Sequence, residues 1–296
     1  MTYLLNPPLL RALSAGVLLT LTAGGCTQDP PGPVITATTG TTTVSTSINA
    51  DAHPYADYTE LVWSDEFNDS SLDATKWSYE VQDQWFNNEL ESTTSSRNNV
   101  NVTNGNLNIT AIKENYNGHQ YTSGRIITKG KKEFVFGRYD VRAKLPKGKG
   151  IWPAIWMLGA NDSQVSWPAC GEIDIMELKG SAPTVNYSTV HYGNTVATHQ
   201  YKGIAYPLPS SVSGDFSTDF HLFSLVRSQN QMDFFIDGNK YYTLTSNDVS
   251  PYPFNNPFYA ILNLAVGGDF DGNPDASTTF PQTMQVDYVK FLQYKQ

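Results

Sequence analysis

Cysteine is nearly absent from this 296-residue chain: there are two, Cys26 and Cys170. Cys26 closes an apolar N-terminal run, which leaves Cys170 without a partner and rules out a disulfide framework. The expectation for Cys170 is a small buried packing residue. Charge is also sparse, with Asp, Glu, Lys and Arg making up 16% of residues, a formal net charge of −9 and a pI near 4.9. That balance argues against nucleic acid and against strongly anionic polymers as partners. Nowhere does a long apolar period of 3.6 residues run between caps, so helices do not build this protein. No internal repeat is visible, and around His191 neither a metal-ligand set nor a Ser-His-Asp arrangement can be read.

What the chain does have is aromatic rings and regular punctuation. It carries 17 Tyr, 14 Phe and 6 Trp, and from Tyr58 onward turn signals recur about every ten residues, the rhythm of a sandwich or barrel. Val100-Asn101-Val102 and Leu107 to Ala111 flank Asn104-Gly105 as a hairpin. Gly137 to Leu145 alternates apolar and polar residues. Phe220 to Val226, Met232 to Ile236 and Tyr241 to Leu244 form a meander, with Asp237-Gly238 joining the last pair. Two packed antiparallel sheets follow.

Ahead of this domain, residues 1–26 read as an export signal, since the apolar core Leu9 to Ala23 is too short and interrupted to span a membrane. Small residues before Cys26 resemble a bacterial lipoprotein processing site, with Ala23 where Leu is usual. Lipidation of Cys26 and cleavage by an ordinary signal peptidase are the alternatives, and the product is a cell-surface lipoprotein or a secreted protein. Residues 27–57, rich in Thr, Ser and Pro, are expected to be a flexible spacer. Residues 58–296, about 240 in number, are expected to form the main domain, a size at which one sandwich folds without covalent staples.

The stretch Gly171-Glu172-Ile173-Asp174-Ile175-Met176-Glu177 puts three carboxylates among apolar, β-favouring residues. On a strand Glu172 and Asp174 share one face, and Ile173 and Ile175 the other. Strict alternation would send Glu177 to the wrong face, and a β-bulge near Ile175-Met176 brings it back. Carboxylates in a row repel and raise one another's pKa values. Such a row is useful where one acid must be ionised and another protonated at the same pH, as in glycosidic hydrolysis. The alternative is a solvent-facing strand that happens to alternate. The outer Glu Cα atoms stand ~13 Å apart at ~3.3 Å per residue, and side chains leaning together can reach the ~5–5.5 Å of a retaining enzyme. The wider spacing of an inverting one stays open.

Glu172-Ile173-Asp174-Ile175-Met176-Glu177 resembles the bulged E-x-D-x-x-E signature of glycoside hydrolase family 16, in the form carried by its laminarinases. The resemblance, over residues 58 to 296, implies a β-jelly roll with a concave cleft and an endo-acting β-1,3-glucanase, expected to be monomeric, with a polysaccharide partner and no redox or nucleotide cofactor. It makes Glu172 the nucleophile, Asp174 its assistant and Glu177 the acid/base. Trp152 and Trp156, four apart in Gly150 to Leu158, are paired core residues or a platform for sugar rings; Trp167 falls near the cleaved bond by resemblance. Asn87, in Trp85-Phe86-Asn87-Asn88-Glu89, resembles a sugar-binding Asn or marks a turn. Arg125 is a fork for ring hydroxyls or an exposed side chain. His191 of His191-Tyr192-Gly193 lines the site rather than acting as base, and Asn263 precedes a Gly267-Gly268 pair expected to close the cleft or mark a turn. The resemblance also implies a structural Ca²⁺ held by Glu66, the Gly105 carbonyl and Asp287. A galactanase on the same scaffold and a non-catalytic glucan-binding protein are the rival readings. For the first, Lys129, Lys131, Lys132, Arg138, Arg142, Lys144, Lys147 and Lys149 would have to face a sulfated sugar; a solvated face is the expectation.

Overall fold

The computed structural model describes residues 48–295. The export signal, Cys26 and the spacer up to residue 47 lie outside the described residues. The expected boundary at residue 58 falls too late. Asn49 accepts a bond from Tyr294 N at 2.8 Å, and the His53 and Tyr294 rings stack at 3.7 Å. Tyr55 packs on Phe235 at 4.5 Å and accepts from Arg138 through its carbonyl at 2.8 Å. Residues 48–57 therefore belong to the domain: past the Thr-rich run, Asn49 and His53 meet Tyr294 of its last strand, and Tyr55 meets Phe235 and Arg138.

Two sheets make the fold. The seven-stranded sheet runs, in spatial order, Gln200–Pro207, Val185–Tyr192, Glu172–Leu178, Ile151–Gly159, Phe258–Val266, Arg125–Ile127 and Ser78–Tyr79. The ten-stranded sheet is centred on His221–Ser228, Gly137–Lys144, Gln282–Tyr294 and Asn106–Tyr116. Pairing is antiparallel except where Glu91–Thr93 lies parallel to His119–Ser123, a departure from the purely antiparallel expectation. The Asn104-Gly105 hairpin forms between Val100–Thr103 and Asn106–Tyr116, and Asp237-Gly238 joins Gln231–Ile236 to Asn239–Thr245. Both turns use positive φ at both central residues, at 55° and 70° and at 51° and 75°, the conformation that matches the twist of a two-residue hairpin.

The core fills the space between the sheets. Ile155, Met157, Ile173, Ile175, Phe223, Leu225, Phe234 and Leu262 are all buried there. Each large apolar side chain contributes about 1.5–3 kcal/mol by leaving water. On Ile151–Gly159 the odd-numbered residues face this core, and Trp152, Trp156 and Leu158 stay partly exposed on the outer face. Val185–Tyr192 alternates in the same way and Glu172 and Glu177 are half-buried on that face, whereas Phe258–Val266 is buried throughout; the outer face is the floor of a trough.

Candidate active site

The bulge lies where the sequence asks for it. Toward Val185–Tyr192, Asp174 pairs with Thr189 and Glu177 with Tyr187; toward Ile151–Gly159, Asp174 pairs with Trp156 and Met176 with Ile155. Ser188 alone stands opposite Ile175 and Met176, and its Oγ donates to the Ile175 carbonyl at 2.7 Å. The Tyr241 hydroxyl, from the opposite sheet, meets the same Oγ at 2.6 Å. The carbonyl displaced from the ladder is thus satisfied inside the core, as a buried polar group must be. Ile173, Ile175, Met176 and Leu178 are buried, while Glu172, Asp174 and Glu177 share the trough face. Gly171, at φ +85°, opens the strand where a Cβ would meet Pro253 Cγ at 2.8 Å, so only glycine fits.

Each acid has a distinct set of neighbours. Glu172 Oε2 accepts from Trp167 Nε1 at 3.0 Å, and Glu177 Oε1 from Trp152 Nε1 at 2.9 Å. His191, directly opposite Glu172 across the ladder, brings Nε2 to 3.3 Å from Asp174 Oδ2 and 3.7 Å from Glu172 Oε1. Asp174 Oδ2 is buried and accepts no hydrogen bond among the described residues; the His191 ring stands near it without bonding it. The ligand-type atoms of Glu172, Asp174 and His191 all fall within 4.8 Å of one another.

Burial lifts the whole row. Loss of water, then the charge of Asp174, pushes the Glu172 carboxyl up to about 7, against the downward pull of His191, the Trp167 N–H and Arg125. Burial takes Asp174 to about 8. Glu177 is raised well above its ordinary value by burial first, then by Asp174, with His191 and the Trp152 N–H pulling down. Three groups pull the proton affinity of Glu172 down, His191, the Trp167 N–H and Arg125, against two at Glu177, His191 and the Trp152 N–H. One ionised and one protonated carboxyl on one wall is what glycosidic cleavage requires.

The indoles do something the sequence reading left out. Trp152 and Trp167 hold the outer acids through their N–H groups, and Trp156 Nε1 donates to Asn263 Oδ1 at 2.7 Å. Trp152 and Trp156 are not core residues; their faces remain in the trough, where Phe270 packs on Trp152 at 4.9 Å. Arg125 is neither a free fork nor an exposed side chain. Its guanidinium lies 4.3 Å from the Trp85 ring and 4.7 Å from the Trp156 ring, and Nε donates to Glu80 at 2.5 Å. It braces one end of the trough, in register with Asn263. Asn87 and Asn88 are a turn, at φ 56° and 57°, and Asn88 Nδ2 ties it to Asp269 at 2.9 Å. Gly268 completes that corner: a Cβ there would lie 2.9 Å from the Asn87 carbonyl and 3.4 Å from Trp152.

Other expectations resolve away from the acids. The segments bearing Glu66, Gly105 and Asp287 neighbour one another on the ten-stranded sheet. Yet Glu66 faces Lys290 at 3.1 Å and Asp287 accepts from Arg142 at 2.6 Å. Both carboxylates are oxygen donors of the kind Ca²⁺ takes, held here in partly exposed ion pairs. Of the basic cluster, Lys129, Arg138, Arg142, Lys147 and Lys149 are paired with Asp162, Asp140, Asp287, Asp215 and Asp271. Cys170 is buried and its thiol is pushed up to about 11 by burial, an inert packing residue. A cavity of about 1090 Å³ opens between Lys144–Lys149 and Thr279–Gln285 on the ten-stranded sheet, away from the acid row. Sequence reasoning missed His199 and Tyr201, which border His191 at 5.1 and 6.0 Å between ring centroids. Tyr201 lies on Gln200–Pro207, a strand with no apolar alternation, and His199 lies just before it; the turn signal Gly193-Asn194 was the available clue.

A β-sandwich whose trough carries graded carboxyls between indoles is a glycosidase. Comparison with known proteins agrees. The profile of glycosyl hydrolases family 16 matches residues 86–290, and the chain belongs to that family. It is 40% identical over 270 residues to glucan endo-1,3-beta-glucosidase A1 of Niallia circulans, covering 82% of this chain and 39% of the relative. It is 38% identical to the beta-glucanase of Rhodothermus marinus, covering 83% and 90%. The laminarinase catalytic domain of Thermotoga maritima superposes with a TM-score of 0.75 at 42% identity, over 80% of this chain and 99% of that one. The chain thus spans about two fifths of the Niallia relative and nine-tenths of the Rhodothermus one.

Proposed function

We propose that the protein is an endo-acting β-1,3-glucanase that works with retention by double displacement. The observation that carries this reading is the bulged acid row, which sets three carboxyls on one face with Glu172 held by the Trp167 N–H and Glu177 by the Trp152 N–H. Glu172 attacks the anomeric carbon as Glu177 protonates the departing glycosidic oxygen; Glu177 then takes a proton from the water that releases the sugar from Glu172. Asp174 sits between them and, with its own proton, keeps the row from holding three negative charges. Endo action suits a trough open along its length. The β-1,3 preference is supported by relatives from Niallia, Thermotoga and Cryptopygus antarcticus named for that activity, the last 37% identical over 90% of its length. A sulfated substrate is disfavoured, because Arg125, the guanidinium bordering the acids, is already paired with Glu80.

A polysaccharide panel with chromatography of the products tests this. Laminarin should fall to a ladder of short oligosaccharides that Glu172→Gln does not produce. Turnover of agarose instead of laminarin, or binding of laminarin with no new reducing ends, would overturn it. We also propose export, with Cys26 as the point of lipid attachment. A wild-type protein found in the membrane fraction and a Cys26→Ala variant found outside it would bear this out.

A further inference from the structure

His199 takes no part in the reaction just described, yet it is joined to it by a single hydrogen bond. His191 Nδ1 and His199 Nε2 are 2.8 Å apart. The ring planes differ by 11° with centroids 5.1 Å apart, the arrangement of two imidazoles meeting end-on. One nitrogen of such a pair must carry the hydrogen and the other must offer a lone pair. What happens at the far side of His191 then depends on His199. If His199 Nε2–H donates, neutral His191 carries its hydrogen on Nε2, which faces Asp174 Oδ2 at 3.3 Å and Glu172 Oε1 at 3.7 Å. If neutral His191 donated through Nδ1 instead, a lone pair would face Glu172 Oε1, and the carboxylate that has to ionise would lose the N–H standing 3.7 Å from it. When His191 takes a second proton, neutral His199 can accept from Nδ1–H by changing tautomer, and the Nε2–H stays where it was.

We propose that His199 is a positioning residue that holds an N–H on His191 Nε2, the nitrogen on the side of Glu172 and Asp174. In a metal site the second nitrogen of a histidine is fixed by its own partner in the same way; here the group served is a carboxylate row. His199 is suited to the neutral role, since burial and the charge of His191 pull its proton affinity down. It also packs on Trp167 at 4.5 Å, the indole that donates to Glu172. The titratable and charged groups around the pair are Glu172, Asp174 and Glu177 from the acid strand and Tyr201 from the edge strand. Arg125 acts on Glu172 from the opposite side of the trough. The inference rests on the glycosidase reading of the acid row.

Two substitutions separate hydrogen bonding from packing. His199→Phe keeps an aromatic face against Trp167 and can neither donate nor accept. His199→Gln offers His191 an amide that does both but cannot titrate. For His199→Phe we expect kcat/KM on laminarin oligosaccharides to fall about tenfold, the effect of one lost hydrogen bond. The acid limb of its pH profile should move to higher pH, because the Glu172 anion loses the N–H that faces it. His199→Gln should recover most of the rate and return the limb toward that of the wild type. The inference is overturned if His199→Phe keeps the wild-type rate and limb, if it loses rate with the limb unmoved, or if His199→Gln loses as much as His199→Phe while thermal melting shows both folded. Failure of the glucanase reading would show separately, as wild-type protein that does not turn over laminarin.

Discussion

On the ten-stranded sheet, Asp140 has 4% of its side chain exposed and meets the Arg138 guanidinium at 3.0 Å. On the seven-stranded sheet, Asp174 is 5% exposed, and its neighbours are a histidine and two further acids. Burial raises the proton affinity of both. Around Asp140 the pull of Arg138 opposes it; around Asp174 burial alone sets the outcome, at about 8. The same cost, a carboxyl taken out of water, is offset by a cation in one sheet and left standing in the other. An unneutralised buried acid weakens the fold as it ionises, but it is a proton store at neutral pH. The difference marks which sheet does chemistry and which holds the fold.

The largest expected effect breaks the row at its acid. Glu177→Ala should lower the rate on laminarin by about 10²–10⁴-fold, the usual worth of a positioned proton donor. Activated aryl glycosides, whose leaving groups need no proton, should lose far less. Equal losses on both substrates would mean that Glu177 is not the acid.

Asp174→Asn sharpens the contrast through stability. A carboxyl whose folded pKa is raised to about 8 contributes stability that is fully present below its unfolded value near ~4 and is lost as pH rises through about 8. Asn removes that loss. The melting temperature of the variant relative to wild type should therefore climb between pH 5 and pH 9, while activity falls. A difference that does not vary with pH would show that Asp174 ionises freely in the folded protein.

The smallest effect comes from the sheet without chemistry. Asp140→Asn leaves Arg138 without its counter-ion and should destabilise by about 1–3 kcal/mol. That is a fall of about 2–12 °C in melting temperature for a domain of this size. The rate per folded molecule should stay at the wild-type value. A drop in rate with melting unchanged would reverse the division of labour between the sheets.

Much of this division could be read before any coordinates. Glu172-Ile173-Asp174-Ile175-Met176-Glu177 announces its own kink, because three acids cannot share a face of a strand at that spacing without one extra residue. Asn104-Gly105 and Asp237-Gly238 likewise specify their hairpins locally. What stayed hidden is non-local. Nothing near Arg125 in sequence says that Trp85, Trp156 and Glu80 will enclose it, since sheet register brings them from three other segments. The three tryptophans were read by their faces, whereas two of them act on the acids through their N–H edges, a matter of side-chain orientation that spacing does not encode. Tyr201, Gly203 and Ala205 give no hydrophobic alternation, so their strand, and His199 just before it, went unread. Residues 48–57 follow a Thr-rich run whose composition masks the aromatic anchors His53 and Tyr55.

The central claim, that Glu172 is the carboxylate which bonds to sugar while Glu177 supplies the proton, can be tested by trapping. A 2-deoxy-2-fluoro laminari-oligosaccharide with a good leaving group slows release of the glycosyl-enzyme, and peptide mass mapping then locates the label. The label should sit on the peptide containing Glu172, at that residue. A label on Asp174 or Glu177, or an initial product of inverted anomeric configuration with no label at all, would contradict the account.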